Sequence, residues 1–188
     1  MSRINSALEA DQILDAILRD SPDEQGSLAD LTPEVLAGTR EAYDALYRRE
    51  QPVPLPVLHA LAAVVADWQG SGPLADWHRA KGADPRITAA DPIRSEVHGL
   101  SAATVQALRD HVDGLSLSPA LTTARDHERL AAAGVGAPVV VLVSRLVAFE
   151  THLQRLVTDV AARRGKPVPA ADAPTRPSLT RTPIDAAA

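Results

Sequence analysis

The sequence predicts an all-α protein, and three observations support this prediction. Apolar residues recur at helical spacing along most of the chain. Helix-start and helix-stop signals bound the segments: Thr32-Pro33 is a favourable start, and Gly165 follows Arg163 and Arg164 at a favourable end. Only 3% of the 188 residues are aromatic, so the core must consist mainly of Ala, Leu and Val, whose small side chains suit close helix packing.

The pattern predicts one domain of six or seven helices over residues 1–165. The expected helices cover about 7–19, 33–47, 56–68, 73–80, 101–112, 124–133 and 138–164. The third is apolar nearly all round, which is typical of a core helix. The valines that open the last helix have strand composition, but helical periodicity continues too far for a strand. Residues 83–100 are expected to form a loop, and the Pro/Ala-rich residues 166–188 a flexible tail.

Composition excludes several function classes. The chain has no cysteine, which excludes disulfides, Cys-ligated zinc and a thiolate nucleophile. A net charge of -5 argues against nucleic acid as a partner, because phosphate binding needs a concentrated basic surface. The longest apolar stretch, 137–149, is interrupted by Arg145 and is too short to span a bilayer, and no signal peptide is visible. We therefore expect no membrane partner and a cytoplasmic location.

Residues 59–78 resemble the signature region of the alkylhydroperoxidase / carboxymuconolactone decarboxylase superfamily. Members carry a Glu on a small-residue helix, then Asn-Gly, then Cys-x-x-Cys, then a His one turn later. In a gapless alignment to that pattern, Gln69-Gly70 matches Asn-Gly and His78 keeps the His. The other diagnostic positions differ: they hold His59 for Glu, and Ser71 and Leu74 for the two Cys.

The order of the later elements extends the resemblance. The segment 108–115, the turn at Ser118-Pro119, the helix led by Thr123, the turn 133–135 and the long last helix follow the superfamily's order. The segment 115–120 is similar to a subgroup that lacks the cysteine pair. The resemblance covers roughly residues 41–162 and implies an alkylhydroperoxidase-like helical bundle that forms dimers or higher homo-oligomers.

Two function classes stay open under this resemblance. The missing thiols exclude peroxide reduction by the family's thiol mechanism, since Leu74 has no heteroatom. One class is therefore a degenerate structural or small-molecule-binding subunit, which would support a cysteine-bearing relative. The other is a decarboxylase-type enzyme that uses His59, His78 and Ser71 for acid/base chemistry on a small organic acid.

The surroundings of the histidines suggest further hypotheses. Trp68, Leu74 and Trp77 are expected to line or fill a pocket, and a carboxylate substrate would need a cation from Arg79, Lys81 or a neighbouring subunit. A metal held by the two histidines with Asp67 or Asp76 is disfavoured, because no closely spaced ligand motif exists. We expect no metal and no cofactor.

The other candidate chemistries lack their motifs. No Gly-x-Ser-x-Gly is present, and no glycine-rich phosphate loop exists. His111 and His127 are expected on solvated helix faces.

Overall fold

The computed structural model describes residues 2–18 and 28–165, with side chains described from residue 9 onward except at position 121. Within these ranges the chain is helical and contains no strand, which confirms the all-α prediction. The α-helices are α1 (Ser2–Leu18), α2 (Pro33–Tyr47), α3 (Leu55–Trp68), α4 (Gly72–Ala80), α5 (Pro85–Thr88), α6 (Ala102–Leu117), α7 (Ala124–Ala132) and α8 (Ala137–Arg163). Two short 3-10 helices cover Leu28–Asp30 and Pro119–Leu121. The predicted tail, 166–188, lies outside the described residues.

The described ranges contain eight α-helices, compared with the six or seven expected, and the additional one is α5. It lies inside the segment 83–100 that was predicted to be a loop. Asp84 caps it by accepting a hydrogen bond from the Arg86 backbone N–H at 2.9 Å, and Pro85 occupies its first position. Four residues are too few for periodicity to reveal, so only the cap and the proline could have indicated this helix.

Helix α3 lies at the centre of the fold, as its all-round apolar sequence predicted. Ten consecutive residues, 57–66, are buried, and α3 packs against α4, α5, α6 and α8. Four of these ten are alanines, at positions 60, 62, 63 and 66. Small side chains let the neighbouring helices approach closely, and every polar group on α3 must find a partner inside the protein.

The N-terminal helix closes one side of the core. Ala10, Ile13 and Leu14 on α1 are fully buried, and α1 packs against α2, α4 and α8. Ion pairs connect it to α2 and to the residue directly after α2: Asp11 pairs with Arg40 at 2.8 Å, and Glu9 pairs with Arg48 at 2.7 Å. The buried apolar residues of the described ranges form one continuous core.

No single helix in the described ranges is long and apolar enough to cross a membrane. The bent pair α7 and α8, whose axes differ by 120°, meets the criterion by length and composition only.

The close packing of α3 generates a stability prediction. Replacing the fully buried Ala62 with leucine adds three carbons to a filled core, and overpacking of this kind costs about 1–3 kcal/mol. The exposed Ala131 on α7 offers a matched control, since Ala131→Leu changes neither packing nor helix propensity substantially. Urea unfolding of both variants measures the difference. Equal stability of the two would show that α3 is more loosely packed than described.

Candidate functional site

The hairpin of α3 and α4 brings His59 and His78 together. A tight turn joins the helices: the Ser71 backbone N–H donates to the Ala66 carbonyl at 2.9 Å, and Gly70 adopts a positive φ of 70°. Glycine tolerates this left-handed conformation without steric cost. Across the hairpin the Nδ1 atoms of the two imidazoles lie 3.0 Å apart, which is hydrogen-bond distance.

Two further helices extend this contact into a chain of four side chains. Glu150 on α8 places Oε2 3.1 Å from His78 Nε2, and Tyr47 on α2 donates its hydroxyl to Glu150 Oε1 at 2.9 Å. Both His78 and Glu150 are 0% exposed. We call Tyr47, Glu150, His78 and His59 the buried chain. Four helices meet at it, and each contributes one member.

The proton positions in the buried chain follow from the acceptor character of a carboxylate. An ionised Glu150 can only accept, so it requires both the Tyr47 O–H and a proton on His78 Nε2. With His78 neutral, its Nδ1 then accepts from the Nδ1–H of His59. This assignment leaves His59 Nε2 with a free lone pair, and no other described residue hydrogen-bonds to that atom.

Aromatic rings enclose the two histidines of the buried chain. The Tyr47 ring stacks on the His59 ring with centroids 4.7 Å apart and an angle of 4°. Trp77 meets His59 edge-on at 5.9 Å and His78 edge-on at 5.0 Å. His59 is consequently only 6% exposed. This packing fixes both imidazoles and excludes most water from them.

Burial dominates the electrostatics of the site. It lowers the pKa of His59 to about 3, with smaller contributions from the nearby His78 and Lys81. His59 is therefore neutral at ordinary pH. Burial and the adjacent Glu150 charge raise the pKa of Tyr47 well above its usual value, so its hydroxyl stays protonated and keeps donating.

The remaining predicted site residues have different positions. Ser71 is buried at the start of α4, seven residues before His78, which is about 10 Å along a helix axis. Leu74 is fully buried one turn before His78. Trp68 donates its indole N–H to Asp113 on α6 at 2.5 Å. Of the three residues expected at a pocket, Trp77 is the one that contacts the histidine rings among the described residues.

The charged candidates near the hairpin are already paired. Arg79 donates to Asp67 at 2.8 Å and to Asp76 at 2.9 Å, so the two acids considered as metal ligands bind a guanidinium. Among the described residues, no group of three or more His, Cys, Asp or Glu side chains is arranged to hold a metal ion. Lys81 pairs with Glu9 at 3.5 Å, and its ammonium lies 5.2 Å above the Trp77 ring.

Glu150 is a site residue that was not predicted, although the sequence pattern around it could have indicated that it is buried. Glu150 lies on the apolar stripe of α8, four residues after Leu146 and three before Leu153, both fully buried. A charge at such a position must be buried and paired. Tyr47 lies on the buried face of α2, and its role as donor to Glu150 depends on the packing of α2 against α8.

The expectation for His111 was wrong. It is 8% exposed, whereas His127 is exposed as predicted. Helix α6 continues to Leu117, and it packs against α3, α7 and α8, so His111 faces protein. Burial lowers its pKa.

The comparisons with known proteins found no match among protein-family models, curated proteins or solved structures. What can be inferred about function therefore rests on the geometry of the residues above.

The hydroxyl of Tyr47 predicts a measurable contribution to stability. Tyr47→Phe leaves the buried Glu150 with one donor fewer, a change that costs about 1–3 kcal/mol. Tyr43→Phe is the matched control. The Tyr43 hydroxyl donates at 3.3 Å to Glu9, which is one-third exposed and also pairs with Arg48. We therefore expect this variant to lower the free energy of unfolding by less than about 1 kcal/mol. Chemical unfolding at neutral pH compares them, and an equal loss in both would contradict the assigned role of Tyr47.

The lowered pKa of His59 predicts a specific pH dependence of stability. The unfolded side chain takes up a proton near pH 6.5, whereas the folded one does so only near pH 3. The contribution of His59 to the free energy of unfolding is therefore complete above about pH 6.5, and it declines as the pH falls toward 3. Its limiting slope is about 1.4 kcal/mol per pH unit.

The variant His59→Asn should remove the pH-dependent part of the stability that comes from His59. Unfolding free energies of wild type and variant between pH 7 and about pH 4 should converge as the pH falls, since the variant lacks the group. His127→Asn, at an exposed position, controls for the loss of a histidine as such. Parallel pH profiles for wild type and His59→Asn would show that His59 is not held neutral by the fold.

Proposed function

We propose that this chain is a cysteine-less member of the alkylhydroperoxidase / carboxymuconolactone decarboxylase superfamily that transfers protons on a small organic acid, with His59 as the acid/base group. The observation that carries the proposal is the 3.0 Å Nδ1–Nδ1 contact between His59 and His78, with Glu150 behind His78. A general base needs a free lone pair in a fixed direction, and His59 Nε2 has one.

The buried chain accounts for how His59 accepts a proton despite its burial. When Nε2 takes a proton from the substrate, the proton on His59 Nδ1 moves to His78 Nδ1. The positive charge then lies on His78, beside the Glu150 carboxylate, and His59 remains neutral. A single proton on His59 itself would leave an unpaired charge in an apolar setting, which is costly.

The reverse transfer makes His59 an acid. His78 returns its Nδ1 proton to His59, and His59 Nε2–H protonates the substrate at another atom. His59 is the catalytic residue in this scheme, while His78, Glu150 and Tyr47 are positioning residues that hold its tautomer and store the charge. In many enzymes a carboxylate orients the catalytic histidine directly. Here a second imidazole, that of His78, lies between the carboxylate and the catalytic histidine.

The resemblance seen in the sequence supports the family assignment. The positions that correspond to the family's Glu and His, 59 and 78, lie in direct contact on consecutive helices. The absence of cysteine excludes the thiol branch. The resemblance also implies a homo-oligomer, at least a dimer, which belongs to the proposal.

Lys81 is the cation best placed to attract a substrate carboxylate. Its charge contributes to the lowered pKa of His59, so it lies within electrostatic range of that ring. Arg79 is less suitable, because two aspartates already bind its guanidinium. Lys81 is held by one carboxylate, Glu9, at the longer distance of 3.5 Å.

Isotope exchange tests the proposed chemistry. Small unsaturated lactone acids are incubated with the protein in heavy water, and proton NMR records exchange of carbon-bound hydrogen or loss of carboxylate. The wild-type protein should accelerate either the hydrogen exchange or the loss of carboxylate. His59→Asn should reduce that rate at least 100-fold, which is within the range for removal of a general base. His127→Asn should retain activity. Hydroperoxide reduction, assayed in parallel, should stay at background for every variant.

The outcome that overturns the enzyme hypothesis is equal exchange by wild type and His59→Asn. Peroxide turnover above background would overturn the expectation that this chain reduces no hydroperoxide, and the reaction would then follow a mechanism that needs no cysteine.

A non-catalytic binding or structural subunit is the second candidate function. The observation that favours it is the cover on His59, which Tyr47 and Trp77 leave only 6% exposed. In this case the buried chain fixes the packing of four helices, and the partner that the resemblance implies is a cysteine-bearing relative. Inactivity of wild type together with unchanged oligomeric mass in His59→Asn, measured by light scattering, would favour this function.

A further inference from the structure

A surface groove between α2 and α8 lies apart from the buried chain. Its volume is about 520 Å³, within the range of about 300–1,000 Å³ typical of small-molecule sites. None of His59, His78, Ser71, Trp68, Leu74 and Trp77 lines it. The groove is therefore not explained by the proposed acid/base chemistry, and an inference about it stands independently of that proposal.

Helices α2 and α8 form the two sides of the groove. The Tyr47–Glu150 hydrogen bond and the contact of Thr39 with His152 at 3.4 Å hold these two helices together. The small side chains of Ala42 and Ala45 on α2 line the groove and leave space between the helices.

The lining of the groove is mainly apolar. Leu46 on α2 and Leu142 and Phe149 on α8 are buried and line it. Val141, 57% exposed, is among the most exposed large apolar side chains described in the chain. A ligand with an apolar body would remove this surface from water, which is the main favourable contribution in most such sites.

Arg145 gives the groove a charge of one sign. It lies on the same face of α8 as Val141 and Ala148, and all three line the groove. No carboxylate within the described residues pairs with Arg145, whereas Arg40 on α2 pairs with Asp11 and Arg48, directly after α2, pairs with Glu9. No aspartate or glutamate lines the groove. An unpaired guanidinium beside an apolar surface is suited to a carboxylate, which it binds through two parallel hydrogen bonds.

We propose that this groove binds a small monocarboxylic acid, with its apolar body against Leu46, Leu142 and Phe149 and its carboxylate on Arg145. The charge complementarity selects an acid over a neutral or cationic compound of the same shape. His152 and Gln51 lie at the groove as additional polar groups, and the Gln51 amide already donates to the Ala45 carbonyl at 2.6 Å. Neither supplies a permanent charge, so Arg145 sets the specificity.

Titration calorimetry of the full chain with octanoate, at constant ionic strength and neutral pH, tests the proposal. Octanol serves as the uncharged ligand with the same apolar body. Wild type should bind octanoate at least tenfold more tightly than octanol. Arg145→Gln should weaken octanoate at least tenfold and leave octanol within about twofold, because a charge-assisted hydrogen bond is lost while the apolar contacts remain.

Two variants complete the design. Arg155→Gln is the matched control, since this exposed arginine lies ten residues further along α8 and does not line the groove. It should bind octanoate like wild type. Val141→Trp changes an exposed residue, so the fold should persist by circular dichroism, and the larger side chain should block both ligands.

Three outcomes would overturn the proposal. The first is no octanoate binding by wild type, and the second is equal affinity of wild type and Arg145→Gln. The third is a wild-type dimer that Val141→Trp dissociates in light scattering while octanoate has no effect, which would assign the groove to a second copy of the chain. None of these depends on His59, so failure here leaves the isotope-exchange test of the proposed function unaffected.

Discussion

The structure depends on one buried carboxylate. Glu150 is fully buried on α8, and an ionised carboxylate in that position is tolerated only when it is hydrogen-bonded. Its partners come from α2 and α4, and the second partner leads on to α3. The need to satisfy this one side chain therefore constrains how four helices pack. It also explains why His59 and His78 have defined tautomers, since each proton position follows from Glu150, which accepts from both Tyr47 and His78 within the buried chain.

The same requirement connects the buried chain with the surface groove. Tyr47 donates to Glu150 where α2 packs against α8, and the surface groove lies between the same two helices. Leu46 and Phe149, the sequence neighbours of Tyr47 and Glu150, line the groove. One contact between two helices thus has a polar inner side, where we propose that protons are transferred, and an apolar outer side, where we propose that an acid binds.

Periodicity and capping signals predicted the helices because these features are local. The apolar run of α3 predicted a core helix, and eleven residues of this helix are buried. The signals failed where a segment was short, as in α5, or where burial depends on a distant helix, as for His111. For the site, the resemblance suggested that His59 and His78 share one pocket, and the structure brings the two rings into contact. Ser71 and Trp68, equally close in sequence, have other positions: Ser71 starts α4, and Trp68 donates to Asp113.

The sequence by itself determined that this protein is built from helices, that it carries no thiol, and that two histidines flank a helical turn. Composition and local spacing suffice for these properties, because each depends on residues a few positions apart. Only the tertiary structure decided that Glu150 and Tyr47 complete the site, since they are 72 and 103 residues from their partners His78 and Glu150. Two further features exist only once α2, α4 and α8 have packed around α3. They are the deep burial that keeps His59 neutral and the surface groove beside Arg145.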